Sequence, residues 1–178
     1  MVCERRGGIG FHDSYFVQDV LPRLQRSGQL PSQMGEVLGF GNEAIVFSLG
    51  TDRVIRIQPT YELWPEQADD VYERIKAAPS GGLYAERFDV RKIDGIDEDG
   101  DRVTFAVYAI LERLFPLTDV ERRIIDAAVR ASSMSALSQE EVPKKLALFL
   151  QAYLTLDIDL DSANVMKRGD EYVIIDPE

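Results

Sequence analysis

The feature that most constrains this chain is a change of hydrophobic period along its length. Between Met34 and Leu111 apolar residues mostly alternate, with one helical interlude; after Leu114 helical spacing takes over, and the last residues alternate again. Alternation predicts strands and a 3.6-residue spacing predicts helices. Met34 to Gly50 is rich in Val, Leu and Phe, and Thr51-Asp52 turns it into Arg53-Val54-Ile55-Arg56-Ile57. Alternation there sets Val54 and Arg56 on one face and Ile55 and Ile57 on the other. Pro65 suits the first position of a helix over Glu66 to Ala78, with Ala68, Val71, Ile75 and Ala78 as its apolar stripe. Pro79-Ser80-Gly81-Gly82 ends it. Tyr84 to Ile93 and Arg102 to Leu111 read as a second hairpin joined by the acidic turn Asp94 to Asp101. This is the pattern of an α+β fold.

The flanks are helical. Asp13 is a cap for Ser14 to Arg26, with Pro22 as a kink or stop. Thr118 with Glu121 has the spacing of a capping box for a helix carrying Val120, Ile124 and Ala128. A second box, Ser138 with Glu141, is complicated by Pro143, which can itself begin the helix whose stripe is Val142, Leu146, Phe149, Tyr153 and Leu156. A polar turn, Asp157 to Asn164, leads to a short hairpin of Val165-Met166 and Tyr172 to Ile175 around Arg168-Gly169-Asp170. Trp64, Phe149 and Tyr153 read as packing residues.

Composition closes several function classes. The chain has 178 residues, one Cys and one His, so an intrachain disulfide, a paired-thiolate zinc site or a multi-histidine site is excluded. The net charge of −11 argues against a partner bound through a nucleic-acid backbone. Neither a signal-peptide core nor a membrane-length apolar run is visible, so a cytoplasmic protein is expected.

Two clusters carry chemistry. In Leu38-Gly39-Phe40-Gly41-Asn42-Glu43-Ala44-Ile45-Val46 the glycines let backbone amides approach a phosphate, and Val46 is placed to cover an adenine ring. Taken alone, that pattern equally describes a hairpin turn without a ligand. In Asp159-Leu160-Asp161-Ser162-Ala163-Asn164, Asp and Asn stand five residues apart, and Val173-Ile174-Ile175-Asp176 follows. Phosphoryl transfer needs a carboxylate to orient and deprotonate an acceptor hydroxyl, and oxygen ligands for magnesium. An Asx-rich turn is the plain alternative. A calcium loop starting at Asp157 fails, because Ser162 and Arg168 stand where glycine and a bidentate glutamate are required.

In this order the segments, from Gly39 to Asp176, resemble the protein kinase-like superfamily, and in particular small kinase-like proteins of bacteriophages. The resemblance implies an antiparallel-sheet N-lobe with one main helix and a shortened helical C-lobe. Its divisions are an N-terminal extension over 1–33, an N-lobe over 34–114 and a reduced C-lobe over 115–178. Gly39, Gly41 and Val46 match the glycine-rich loop, and Arg56 the ATP-anchoring lysine. Leu111-Glu112-Arg113-Leu114 resembles the gatekeeper and hinge, so the Glu112 and Leu114 backbone would meet adenine. Asp159 matches the catalytic aspartate, and Asn164 and Asp176 the magnesium ligands. ATP and Mg are the implied cofactors, with Ser/Thr of a host protein as acceptor.

Departures from the family pattern keep alternatives open. Arginine replaces lysine at position 56, and no lysine precedes Lys76. Glu66 and Glu73 both point away from the helix stripe, so the glutamate that should meet the cation is unassigned. Asp161 stands where a basic residue would contact the transferred phosphate, and Asp176-Pro177-Glu178 replaces the Asp-Phe-Gly motif and closes the sequence. The alternatives are therefore a pseudokinase that binds or inhibits a partner protein and, more weakly, an acidic mimic of nucleic acid. A homodimer that makes up for the short C-lobe is also left open.

Overall fold

Alternating segments form strands and helically spaced segments form helices, giving an α+β fold around a five-stranded antiparallel sheet. The computed structural model describes residues 16–40, 44–60, 63–96, 100–131, 142–154 and 162–175. The chain divides into two compact units, Met1–Lys76 with Asp89–Ile110, and Ala77–Phe88 with Leu111–Glu178. These boundaries differ from the expected 1–33, 34–114 and 115–178. Residues 16–30 contribute Phe16, Val20, Leu21, Leu24 and Leu30 to the sheet's own core, and residues 77–88 belong with the second unit.

The sheet belongs to the first unit except for residues 87–88 of β4 and 111–112 of β5: β1 (Met34–Phe40), β2 (Ile45–Leu49), β3 (Arg53–Pro59), β4 (Arg87–Ile96) and β5 (Arg102–Glu112) are ordered β1-β2-β3-β5-β4. Gly50, with φ of 68°, begins the turn between β2 and β3, a backbone angle that glycine adopts without a Cβ clash. Ile45, Phe47, Ile55 and Ile57 are buried on one face, with Ile93, Ala106 and Tyr108 in the same cluster. Period-two alternation turns Val46, Val54 and Arg56 to the other face, as the sequence predicts. A Cβ at Gly95 on β4 would lie 2.4 Å from Cε2 of Phe105, so any larger residue there would have to displace that ring.

The first helix is not interrupted at Pro22. A π-helical turn, Phe16–Val20, runs directly into α1 (Leu21–Arg26), and Pro22 sits in the first turn of α1. Proline has no N–H to donate back along the helix, so the change of hydrogen-bond register falls where that donor is absent. The expected cap, Asp13, lies outside the described residues. α2 (Pro65–Ala77) buries Ala68 and Val71, whereas Trp64 is 75% exposed rather than packed. Trp64 precedes the helix, where its N–H donates to Oε1 of Gln67, so helical spacing does not aim its ring.

In the second unit α3 (Asp119–Ala131) and α4 (Lys144–Tyr153) accompany a hairpin of β6 (Val165–Arg168) and β7 (Glu171–Ile174). The hairpin turns at Gly169, whose φ is 61°. α4 starts just after Pro143 and buries Leu146, Phe149, Leu150 and Tyr153; Ser138, Glu141 and Leu156 lie outside the described residues. The buried stripe of α3 is Glu121, Ile125 and Ala128, not the expected one led by Val120, which is 57% exposed. Tyr84 is not the start of β4: it bridges Ile174 in parallel, with the Ala85 N–H donating to the Ile174 carbonyl at 2.9 Å. On the other edge of the hairpin Phe115 pairs with Lys167 through two 2.8 Å hydrogen bonds.

Candidate functional site

Three of the expected nucleotide-binding residues form one row across the first unit's sheet. Gly39 pairs with Val46, and Val46 with Arg56. Directly opposed residues project from the same face, so Val46 and Arg56 stand side by side on the face away from the main core, with Gly39 at the end of the row. Register shifts in β1 on either side of Val37 bring Gly39 into that position. Gly41 lies outside the described residues.

Arg56 is half-buried, and its Nη1 donates to Oε1 of Gln58 at 3.3 Å. Glu66 and Glu73 are both exposed on α2, as the stripe predicts. The bond between α2 and the sheet is made elsewhere. Lys92 of β4 pairs with Asp69, and its Nζ lies 4.9 Å from the centroid of the Tyr72 ring. Lys92 adjoins the core residue Ile93, so alternation sets it on the face that carries Arg56. That face therefore holds an aliphatic side chain and a guanidinium in register, with glycine at the edge: a surface suited to a ring and its phosphates.

The second unit holds the other candidates. The Glu112 N–H donates to the Glu86 carbonyl at 3.0 Å, so this donor is committed within the protein. The Glu112 carboxylate accepts from Nε of Arg168 at 2.8 Å, from Nη2 of Arg168, and from the Glu86 N–H at 2.7 Å. Arg168 also donates to the carbonyls of Gly82 at 3.2 Å and Tyr84 at 3.1 Å. Burial works to raise the Glu112 carboxyl's affinity for a proton, but the hydrogen bonds from Arg168 and Glu86 outweigh it and hold the group below its ordinary range. Arg168→Ala, which strands this carboxylate, should cost about 2 kcal/mol in urea denaturation.

Asn164 ends a 3₁₀ turn, Ser162–Asn164, directly before β6. Its carbonyl accepts the Ile175 N–H at 2.9 Å, one step beyond the Val165–Ile174 pair, so the hairpin carries Asn164 and the residue preceding Asp176 to adjacent positions. Asp159, Asp161 and Asp176 lie outside the described residues.

Sequence reasoning missed a carboxylate that, among the described residues, accepts four hydrogen bonds. Glu121 is 7% exposed and accepts from the Thr118 N–H at 2.7 Å, Thr118 Oγ1 at 2.8 Å, the Tyr172 hydroxyl at 2.7 Å and Lys167 Nζ at 3.0 Å. The capping box gave the Thr118 half of this cluster. The Tyr172 and Lys167 half had no sequence signal, because those residues come from a hairpin some 50 positions away. Desolvation alone would raise the Glu121 pKa, but bonds from Thr118, Tyr172 and Lys167 reverse the sign and set it at about 2. The same burial and the carboxylate's charge push the Tyr172 hydroxyl well up.

Among the described residues no helix is long and apolar enough to cross a membrane. No family model and no curated protein matches this sequence.

Proposed function

We propose that this protein is an ATP- and magnesium-dependent phosphotransferase of the protein kinase-like type, acting on Ser/Thr hydroxyls of a protein. The observation that carries the reading is the row Gly39, Val46 and Arg56 on one face of the five-stranded antiparallel sheet. A helix inserted between β3 and β4, and a hairpin opening directly after Asn164, support it in the same order along the chain. A half-buried guanidinium with only a neutral amide as partner among the described residues fits an anionic ligand, since a charge taken from water needs an opposite charge to offset desolvation.

In this reading Val46 covers the base and Arg56 grips phosphate oxygens. Asn164 and Asp176 supply oxygen ligands for the metal, and Asp159 orients the acceptor hydroxyl and takes its proton. MgATP supplies the phosphoryl group and neutralises charge as it transfers. In the sequence Asp161 stands two residues from Asp159, and a carboxylate brought beside a phosphate opposes it unless a cation screens the pair.

A second reading, a pseudokinase that binds a partner protein without transfer, is favoured by one observation: neither exposed helix glutamate, Glu66 or Glu73, meets Arg56. Transfer of labelled phosphate from MgATP separates the two. The enzyme reading requires transfer by the wild type that Asp159→Ala and Asp176→Ala remove; nucleotide binding without any transfer would leave the pseudokinase.

A further inference from the structure

We propose that Gln58 is the positioning residue for Arg56, presetting the phosphate-binding cation from its own strand while α2 is fixed to the sheet separately through Lys92. The inference rests on the nucleotide-binding reading above. Arg56 and Gln58 are two apart on β3 and so share a face, and Nη1 of Arg56 donates to Oε1 of Gln58 at 3.3 Å. Among the described residues this is the hydrogen bond Arg56 makes, and the ion pairs there do not include it.

Gln58 is a firm support. It is 6% exposed and makes further interactions of its own. Two residues on, buried Thr60 clamps the end of the strand to β5: its N–H donates to the Phe105 carbonyl at 3.0 Å and its Oγ1 to the Thr104 carbonyl at 2.7 Å. An amide oxygen accepts one of the five guanidinium donors and leaves the positive charge uncompensated. It therefore aims the group without competing with phosphate, which a carboxylate in the same place would do.

The helix is attached by other residues. Lys92, with Asp69 and Tyr72, ties α2 to β4, and the strand order puts β5 between β4 and β3. Two strand spacings, roughly 10 Å, thus separate the strand that anchors the helix from the strand that carries the cation. A helix glutamate has no part in orienting Arg56, and the exposure of Glu66 and Glu73 follows from that division.

The test is a double-mutant cycle read by calorimetric titration, with magnesium AMP-PNP and free adenosine as probes. Gln58→Leu should weaken AMP-PNP binding about tenfold and leave adenosine affinity within about twofold, because only the phosphates meet Arg56. In the Arg56→Ala background Gln58→Leu should have no further effect. Gln58→Glu puts in the same place a carboxylate that competes with phosphate for Arg56, and should also weaken AMP-PNP binding while leaving adenosine affinity within about twofold. Gln58→Met replaces Gln58→Leu if the melting curve of the latter shows a misfolded protein. Equal losses for AMP-PNP and adenosine, equal losses in both Arg56 backgrounds, or no loss at all would overturn the assignment while leaving nucleotide binding intact. A wild type that binds adenosine and AMP-PNP equally weakly overturns the nucleotide reading itself, and this inference with it.

Discussion

Glu121→Ala is expected to lower stability by about 3 kcal/mol, a large part of the margin of a protein this size. The substitution removes the acceptor for four hydrogen bonds at once: the Thr118 N–H and hydroxyl, the Tyr172 hydroxyl and the Lys167 ammonium. It removes the glutamate half of the α3 capping box, with Thr118 Oγ1 still accepting the N–H of residue 121, and leaves the buried Tyr172 hydroxyl and a largely covered ammonium without their carboxylate. Glu121→Gln keeps the shape and one acceptor oxygen and should cost less. Urea denaturation gives both values through the midpoint, and a Glu121→Ala loss below about 1 kcal/mol would show that the cluster is not a keystone of the second unit.

The same carboxylate makes an acid signature. Its folded pKa of about 2 lies below its ordinary 4.5. Between those values the unfolded chain binds more protons at this position than the folded one, so stability falls as pH drops through that window. The contribution is complete above the unfolded value, amounts to about 3 kcal/mol there, and is gone below the folded one. A wild-type stability profile between pH 5 and 2 should lose much of its slope in Glu121→Gln.

Asp159→Ala should reduce phosphate transfer by about 10²- to 10⁴-fold, the usual contribution of a positioned general base, with nucleotide affinity little changed. Asp176→Ala should reduce transfer at least as far and also weaken the binding of magnesium-nucleotide, since its proposed role is to hold the metal. The split between the two variants is the informative part. Equal loss of nucleotide binding in both would assign Asp159 to the metal rather than to the acceptor hydroxyl.

Much of the sheet was legible because residues alternate in polarity or burial from Val54 to Ile57. Val54, Ile55, Arg56 and Ile57 take the faces their spacing assigns, and the turn at Gly50 falls where Thr51-Asp52 predicts it. The helix ends were legible where a side chain closes them locally, as Thr118 and Glu121 do. What could not be read depends on partners distant in sequence. Glu121 read only as half of a capping box because nothing nearby announces Tyr172 or Lys167. Val120 took its place in the predicted stripe because hydrophobicity alone prefers valine to a glutamate that has found its own hydrogen-bond donors.

Arg168 and Glu112 follow the same logic. One read as a turn residue and the other as hinge backbone, yet they meet as a bidentate pair that also collects the carbonyls of Gly82 and Tyr84. Trp64 failed in the opposite sense. It read as a packing residue on the rule that aromatics at helical spacing are, but it sits one residue ahead of the helix. At the candidate site the alignment of Gly39, Val46 and Arg56 could be anticipated only in part, because the register shifts of β1 are set by pairing rather than by pattern.

The central claim, that the face bearing Val46 and Arg56 receives a magnesium-bound nucleoside triphosphate, is tested most directly by thermal melting of the full chain with and without MgATP. A ligand that binds only the folded state stabilises it by mass action, so saturating MgATP should raise the melting temperature by several degrees, and Arg56→Ala should remove most of that shift. Identical melting curves with and without MgATP, or a shift that Arg56→Ala leaves intact, would contradict it.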